Sequence, residues 1–264
     1  MANVRRKIRL TEFIYLFLSK KRAPKAYKRR YRNLAAHIAN FERKTGLKVR
    51  TDNLSEAMCE EFISYLRTDA RMKGMKKGSG LMANTVRNIW HKLGHMMRRA
   101  AKQGYAVDLA FEDITLEPED ANAVYLTLPE LERLRQLKGL SKGAAAVRDR
   151  FLVGCFTALR YGNYSTLSKN DLIGGNIYLK TNKTGRPVII PVHPVVREVL
   201  ARNKGDFPPL PSQQSFGDTI KRICKKAGIT DEIMYERTIG TKVVKNNGIF
   251  HIEKPLSVRS RLLR

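Results

Sequence analysis

Apolar residues recur along the first hundred positions with the period of an α-helix, in four separate stripes. Leu10, Phe13, Ile14, Phe17 and Leu18 follow the i, i+3, i+4, i+7 rule, and Leu34, Ile38 and Phe41 mark a second stripe. A third carries Met58, Phe62, Ile63 and Leu66, with Ser55 ahead of it as a natural N-cap. The fourth runs through Val86, Ile89, Trp90, Leu93, Met96, Met97 and Ala100, and Gly104 suits its C-terminal stop. Trp90 and the methionines of this stripe fit core packing.

The period is lost between residues 105 and 123, where the chain turns acidic and reads as an interdomain linker. Thr127-Leu128-Pro129-Glu130 then has the form of a capping box, with Leu131, Leu134 and Leu137 behind it. A helical apolar run (Phe151, Leu152, Val153, Cys155, Phe156) leads to Arg160. Two short strand-like stretches, Ile177-Tyr178-Leu179 and Val188-Ile189-Ile190, flank a tight turn that holds Lys183. Pro194 opens a helix with Val195, Val196, Val199 and Leu200. Ser215 or its neighbours open another with Ile220, Ile223 and Cys224, which ends near Gly228. The expected domains are a helical one at 1–105, a linker at 106–123, and a helix-dominated α+β domain at 124–264.

Charge narrows the class of partner. The chain carries 51 Lys and Arg against 24 Asp and Glu, a formal net charge of +27. Such an excess favours a polyanion, because neutralising phosphates releases their counterions. The signs are not interspersed as on an ordinary solvated face: Arg5, Arg6, Lys7, Arg9, Lys20, Lys21, Arg22, Lys25, Lys28, Arg29, Arg30 and Arg32 stand against Glu12 alone. The loop Met72 to Gly80 adds Lys73, Lys76 and Lys77 among glycines, a composition suited to ordering on a DNA backbone. No segment approaches the ~20 apolar residues of a membrane span, and the basic N-terminus lacks the apolar stretch of a signal peptide. Cys59, Cys155 and Cys224 show no paired spacing and read as buried or semi-buried reduced thiols of a cytoplasmic protein. His91 and His95 stand at i, i+4, but no Glu follows His91 and no third ligand is near. A helix-surface or DNA-facing pair is therefore expected, with no metal and no cofactor.

Thr157-Ala158-Leu159-Arg160-Tyr161-Gly162-Asn163-Tyr164-Ser165, followed by Lys183-Thr184-Gly185 and Ile190-Pro191-Val192-His193-Pro194, resembles the catalytic domain of the tyrosine recombinases, the phage-integrase family, in its mobile-element branch. There the first block looks like Thr-Gly-Leu-Arg-Tyr-Ser-Asp-Tyr-Ser, so Ala158 replaces a Gly and Gly162-Asn163 replaces Ser-Asp. The resemblance implies a mainly α protein: a four-helix SAM-like core-binding domain forming one jaw of a clamp on duplex DNA, then the α+β catalytic domain with a small β-hairpin sheet. It implies that Arg160 clamps the scissile phosphate and that Lys183, on the hairpin, protonates the leaving 5′ oxygen. Arginine suits the first task because its planar fork gives bidentate, charge-assisted hydrogen bonds to phosphate. An acid three residues after the Arg orients the guanidinium in many members; Asn163 stands there.

The family's His/Lys-x-x-Arg pair and nucleophilic Tyr are expected after the segment Ile233 to Ile252, itself similar to a family hairpin around Gly240-Thr241-Lys242. The sequence reaches Arg264 without them; His251-Ile252-Glu253-Lys254 is a near miss, and no Tyr follows Tyr235. Tyr161, Tyr164, Tyr178 and Tyr235 are better read as packing or phosphate-contacting residues than as nucleophiles. The expectation is a C-terminally truncated integrase homologue that binds duplex DNA and is cleavage-deficient alone; the alternative is a non-catalytic DNA-binding protein occupying recombination sites. Arg29, Arg30, Lys76, Lys77, Arg87 and Lys92 are the expected backbone contacts. Other integrase protomers on the DNA are further partners, with no membrane and no small-molecule substrate.

Overall fold

The computed structural model describes residues 6–70, 79–119, 125–183 and 185–249. Its helices are α1 (Leu10–Lys20), α2 (Lys25–Thr45), α3 (Glu56–Thr68), α4 (Ala83–Lys102), α5 (Leu128–Gln136), α6 (Lys142–Thr157), α7 (Tyr161–Tyr164), α8 (Pro194–Arg202) and α9 (Gln213–Lys226). Its strands are β1 (Leu172–Ile173), β2 (Asn176–Lys180), β3 (Pro187–Pro191), β4 (Glu232–Ile239) and β5 (Lys242–Ile249). The fold is mainly helical, with one antiparallel sheet in the order β1-β2-β3 and a separate β4-β5 hairpin. Two units form: Met1–Ala121 with Tyr235–Asn246, and Asn122–Met234 with Asn247–Arg264.

In the first unit the four predicted stripes are the buried faces of α1 to α4 and meet in one core. Ser55 caps α3, its hydroxyl accepting the Met58 N–H. Trp90 is buried, and its indole N–H donates to the Ile114 carbonyl at 3.0 Å. The buried Glu42 carboxylate accepts from Arg9 at 2.7 Å and from the Val49 N–H at 2.9 Å, which ties α2 to the segments before α1 and α3.

Residues 106–119, which read as linker in the sequence, are fastened to α4. Phe111 lies in the core, Arg87 Nε donates to the Leu116 carbonyl at 2.8 Å, and the Asn84 side chain bonds both the N–H and the C=O of Glu119. The anchors Phe111, Ile114 and Leu116 are spaced among exposed acids, so they leave no periodic signature. The tip of the β4-β5 hairpin belongs to the same unit. The Gly240 N–H donates to the Leu81 carbonyl at 3.0 Å, Ile239 bridges Met82, and the Thr238 N–H donates to Glu119 Oε1. Gly80 (φ +68°) and Gly240 (φ +64°) both lie against the Arg67 carbonyl, where a Cβ would fall 1.8 and 2.5 Å from its oxygen. No other residue type fits either position.

In the second unit α6 is the central element, with α5, α8 and α9 packed around it. Glu130 accepts from the Thr127 N–H and hydroxyl, as the capping-box sequence predicts. Of the residues around Ser215 expected to open α9, Ser212 is the cap, its hydroxyl accepting the Ser215 N–H. β2 and β3 pair with Ile177 opposite Ile190 and Leu179 opposite Val188. The two-residue β1 added to their edge was too short to show in the sequence. The buried Asp149 carboxylate accepts from Arg148, Arg202 and Asn203 and so joins α6 to α8.

Two packing features set the turn after α6. Ala158 takes a left-handed conformation (φ 54°) at the helix end, the position where the resembling integrases carry glycine. Gly154 accepts the face of Tyr164, whose Cε1 would lie 2.6 Å from an added Cβ. A left-handed alanine is strained, and glycine's entropy offsets only part of the relief. Ala158→Gly is therefore expected to stabilise the chain by about 0.5–1 kcal/mol, whereas Gly154→Ala is expected to cost about 1–3 kcal/mol through overpacking. Urea midpoints of both variants against the parent check the opposite signs.

Candidate functional site

Arg160 is held by its neighbours while its own side chain is exposed. Thr157 closes α6 by donating to the Val153 carbonyl at 2.7 Å, Ala158 reverses the chain, and Leu159 is buried. The Arg160 carbonyl then accepts from the N–H groups of Asn163 and Tyr164, so Arg160 opens α7 and projects from its N-terminus into solvent.

Lys183 is exposed on the loop between β2 and β3. The loop is closed by the Thr181 N–H donating to the Arg186 carbonyl at 2.9 Å and the Gly185 N–H donating to the Thr181 carbonyl at 2.8 Å. Asn182 docks this loop on α7. Its N–H donates to Asn163 Oδ1 at 3.0 Å, and its Nδ2 donates to the Gly162 carbonyl at 2.5 Å. The two basic residues thus emerge from one junction, Lys183 next to Asn182 and Arg160 one helical turn before Asn163. Asn163 itself is buried. The resemblance implied a side chain orienting the Arg160 guanidinium, but here its acceptor oxygen is taken by the hairpin backbone. Asn182 was missed in the sequence; its only signal was a turn-forming Thr-Asn ahead of Lys183.

Behind the junction Tyr164 is fully buried, and its hydroxyl has no partner. Burial raises the phenol pKa of Tyr164 and, less strongly, of Tyr161, which disfavours either as a ready nucleophile. Arg150 lies beside them with Nη1 donating to the Leu167 carbonyl and its guanidinium 5.3 Å from the Phe207 ring centroid. Burial lowers its pKa, opposed by the Asp206 carboxylate.

The other expected phosphate contacts fall on the first unit. Arg29 and Arg30 are exposed on α2. Lys92 on α4 is half-buried, and burial together with Arg30 lowers its pKa. Arg87 has its Nε engaged by Leu116, and Lys76 and Lys77 lie outside the described residues. His95 Nδ1 is bonded to the Tyr31 hydroxyl at 3.0 Å. All three cysteines are free and buried; burial raises each thiol pKa, that of Cys59 and of Cys224 to about 12. Among the described residues no helix is long and apolar enough to cross a membrane.

Residues 9–116 match the phage integrase SAM-like domain family. No curated protein sequence matches the chain. Among solved structures, a Tn1549 transposon integrase in complex with a circular intermediate DNA superposes with a TM-score of 0.62 at 14% identity, over 96% of this chain and 84% of that one. A lambda integrase tetramer bound to a Holliday junction gives 0.59 at 16% identity, over 84% of this chain and 66% of that one. A lambda integrase dimer bound to a core site gives 0.61 at 15% identity, over 85% and 65%. The chain therefore spans just under two thirds of these two lambda integrase chains. The fold is that of the integrases. Residues 9–116 carry the phage integrase SAM-like domain, and the likeness to the integrases over the rest of the chain is one of fold.

The Asn163 to Asn182 hydrogen bond can be tested directly. Asn163→Ala leaves a backbone donor without its acceptor and is expected to cost about 1–3 kcal/mol. Amide exchange at Asn182 should quicken while that of β2 residues facing β3 stays slow. Unchanged exchange at Asn182 would show that the hairpin holds its place without Asn163.

Proposed function

We propose that the chain is a DNA recombinase or integrase homologue that binds duplex DNA and presents Arg160 and Lys183 to a backbone phosphate. The observation that carries this reading is the junction in which Asn163 and Asn182 bring the Arg160 turn and the Lys183 hairpin together. The charge of +27 and the SAM-like unit support a duplex held over many phosphates. Arg29, Arg30, Lys76, Lys77, Arg87 and Lys92 are the proposed backbone contacts. They fix position and carry no sequence information. The integrases of similar fold are bound to DNA, two of them as a dimer and a tetramer, and other protomers on the DNA are proposed partners here too.

The chemistry proposed for this site is phosphodiester transesterification. A hydroxyl attacks phosphorus and releases its proton to solvent, a new ester joins its oxygen to the 3′-side phosphate, and the P–O5′ bond breaks. Arg160 gives two hydrogen bonds to the non-bridging oxygens as charge builds on them. Lys183 gives its proton to the departing 5′ oxygen. None of the tyrosines considered above is assigned as the nucleophile, and residues 1–264 by themselves are proposed to bind without cleaving. The competing reading, a non-catalytic occupant of recombination sites, differs from this one only in what Arg160 and Lys183 do at the phosphate.

The test is a suicide DNA substrate with the ends of the parent element, a matched RNA duplex, and a salt series. The expected result is salt-dependent preference for duplex DNA, no denaturant-resistant adduct, and a salt slope about one unit shallower for Arg160→Ala. Equal affinity for the RNA duplex at matched salt would overturn the DNA reading. An adduct that disappears in Arg160→Ala would overturn the non-cleaving part of it.

A further inference from the structure

The junction of α1, α2 and α4 carries an imidazole with unusual surroundings. Tyr31, on α2, is buried, and its hydroxyl lies 3.0 Å from His95 Nδ1 on α4. The His95 ring has Phe17 of α1 at its edge, 6.3 Å between centroids, and Tyr31 at 5.8 Å. Lys21, at the C-terminus of α1, stands over the rings of Phe17 and Tyr27 at 5.3 and 5.1 Å. The charged groups acting on His95 are Arg98 and Arg99 from α4 and Lys21 from α1; from α2, Arg30 acts on Tyr31. Arg98 has Glu112 at 3.5 Å, but among the described residues neither Lys21, Arg30 nor Arg99 has an acidic partner within ion-pair distance.

We infer that His95 is a contact for a backbone phosphate of duplex DNA, held by Tyr31 so that Nε2 carries the hydrogen that faces the phosphate. The inference rests on the DNA reading above and adds to it a residue pair that reading does not use. The two ring nitrogens have separate tasks. In the neutral ring the Tyr31 hydroxyl is assigned as donor to Nδ1, which places the ring proton on Nε2. That nitrogen is then a donor in the neutral ring and in the imidazolium alike. Burial of Tyr31 keeps its phenol protonated, since its pKa is raised.

The arrangement also couples binding to pH. In the free protein burial and the cations of Arg99, Lys21 and Arg98 lower the His95 pKa below its ordinary value. A phosphate placed among those cations reverses the local field and raises it. Binding therefore takes up a proton, so affinity increases as pH falls from the bound-state pKa toward the free-state one, and is flat with respect to His95 above that window.

Two measurements test this. The first is an NMR titration of the His95 ring in the wild-type chain, alone and with an unlabelled duplex. The pKa is expected to rise on binding by at least half a unit; an unchanged value overturns the inference without any variant. The second is duplex affinity from pH 5.5 to pH 8 at fixed salt for wild type, His95→Gln and Tyr31→Phe. Wild type is expected to gain about three- to ten-fold more affinity on acidification than His95→Gln, given the worth of one charge-assisted contact. Tyr31→Phe should bind about two- to five-fold more weakly at pH 7.5, because the ring is no longer fixed. The same pH dependence in wild type and His95→Gln would sink the inference and leave DNA binding intact. Failure of the wild type to bind duplex DNA at low salt would remove both.

Discussion

The junction of Arg160 and Lys183 depends on one backbone N–H, that of Asn182, finding its acceptor on Asn163. A hairpin loop on the surface has no apolar weight with which to hold a position. The β2-β3 loop is exposed at Asn182, Lys183, Gly185 and Arg186, so burial does little to place it. Polar docking does the work instead: the Asn163 oxygen takes the Asn182 N–H, and Asn182 returns a donor to the Gly162 carbonyl. Because Asn163 is itself buried in α7, the loop inherits the rigidity of the helix. That helix is placed in turn by Tyr164 lying on Gly154 of α6. The position of Lys183 is therefore set by a chain of contacts that ends in the core.

The first unit solves a different problem, that of keeping a strongly basic surface on a stable core. Its best-placed acids are turned inward or toward the chain itself. Glu42 receives Arg9 and the Val49 N–H, Asp52 receives Arg50 and Lys7, and Glu119 Oε1 receives the Thr238 N–H. Hydrogen bonding and charge from Arg50 and Lys7 hold the Asp52 pKa below its ordinary value despite some burial. These carboxylates spend their charge on structural donors. Lys44 at the end of α2 pairs with Asp69, whereas among the described residues Lys25, Lys28, Arg29, Arg30 and Arg32 of that helix have no acidic partner within ion-pair distance. Burial, with neighbouring cations adding to it, lowers the pKa of Lys92, His37 and His95.

Much of this was legible in the sequence, for physical reasons that also explain the gaps. The helices of the first unit announced themselves because a helix that buries one face repeats its apolar residues with a fixed period. The caps at Ser55 and Thr127 were legible because a side chain bonding its own helix start is a local event. Arg160 and Lys183 were singled out through a joint pattern that resembles the integrases, since neither is distinctive alone; the structure adds only that both are exposed at one junction. What was missed is held by contacts distant in sequence. The strap at residues 106–119 is fixed by single anchors onto α4, 24 to 35 positions away. Asn182 reaches back 19 positions to Asn163, and Gly240 meets Leu81 across the chain. None of these leaves a period or a local motif.

The departures from the integrase pattern at 158 and 163 differ in physical weight. At 158 the backbone still has the left-handed conformation that favours glycine, so the alanine carries a local strain and changes nothing that faces solvent. At 163 the geometric need in this chain is an acceptor for the Asn182 N–H, and an asparagine oxygen meets it as an aspartate oxygen would. The amide removes a negative charge from a point one helical turn from Arg160. It thereby leaves more of the guanidinium's positive field unneutralised, at the expense of an internal partner that would restrain the side chain. On the proposed phosphate-binding reading, Asn163 therefore favours attraction of a phosphate over preorganisation of the group that would receive it.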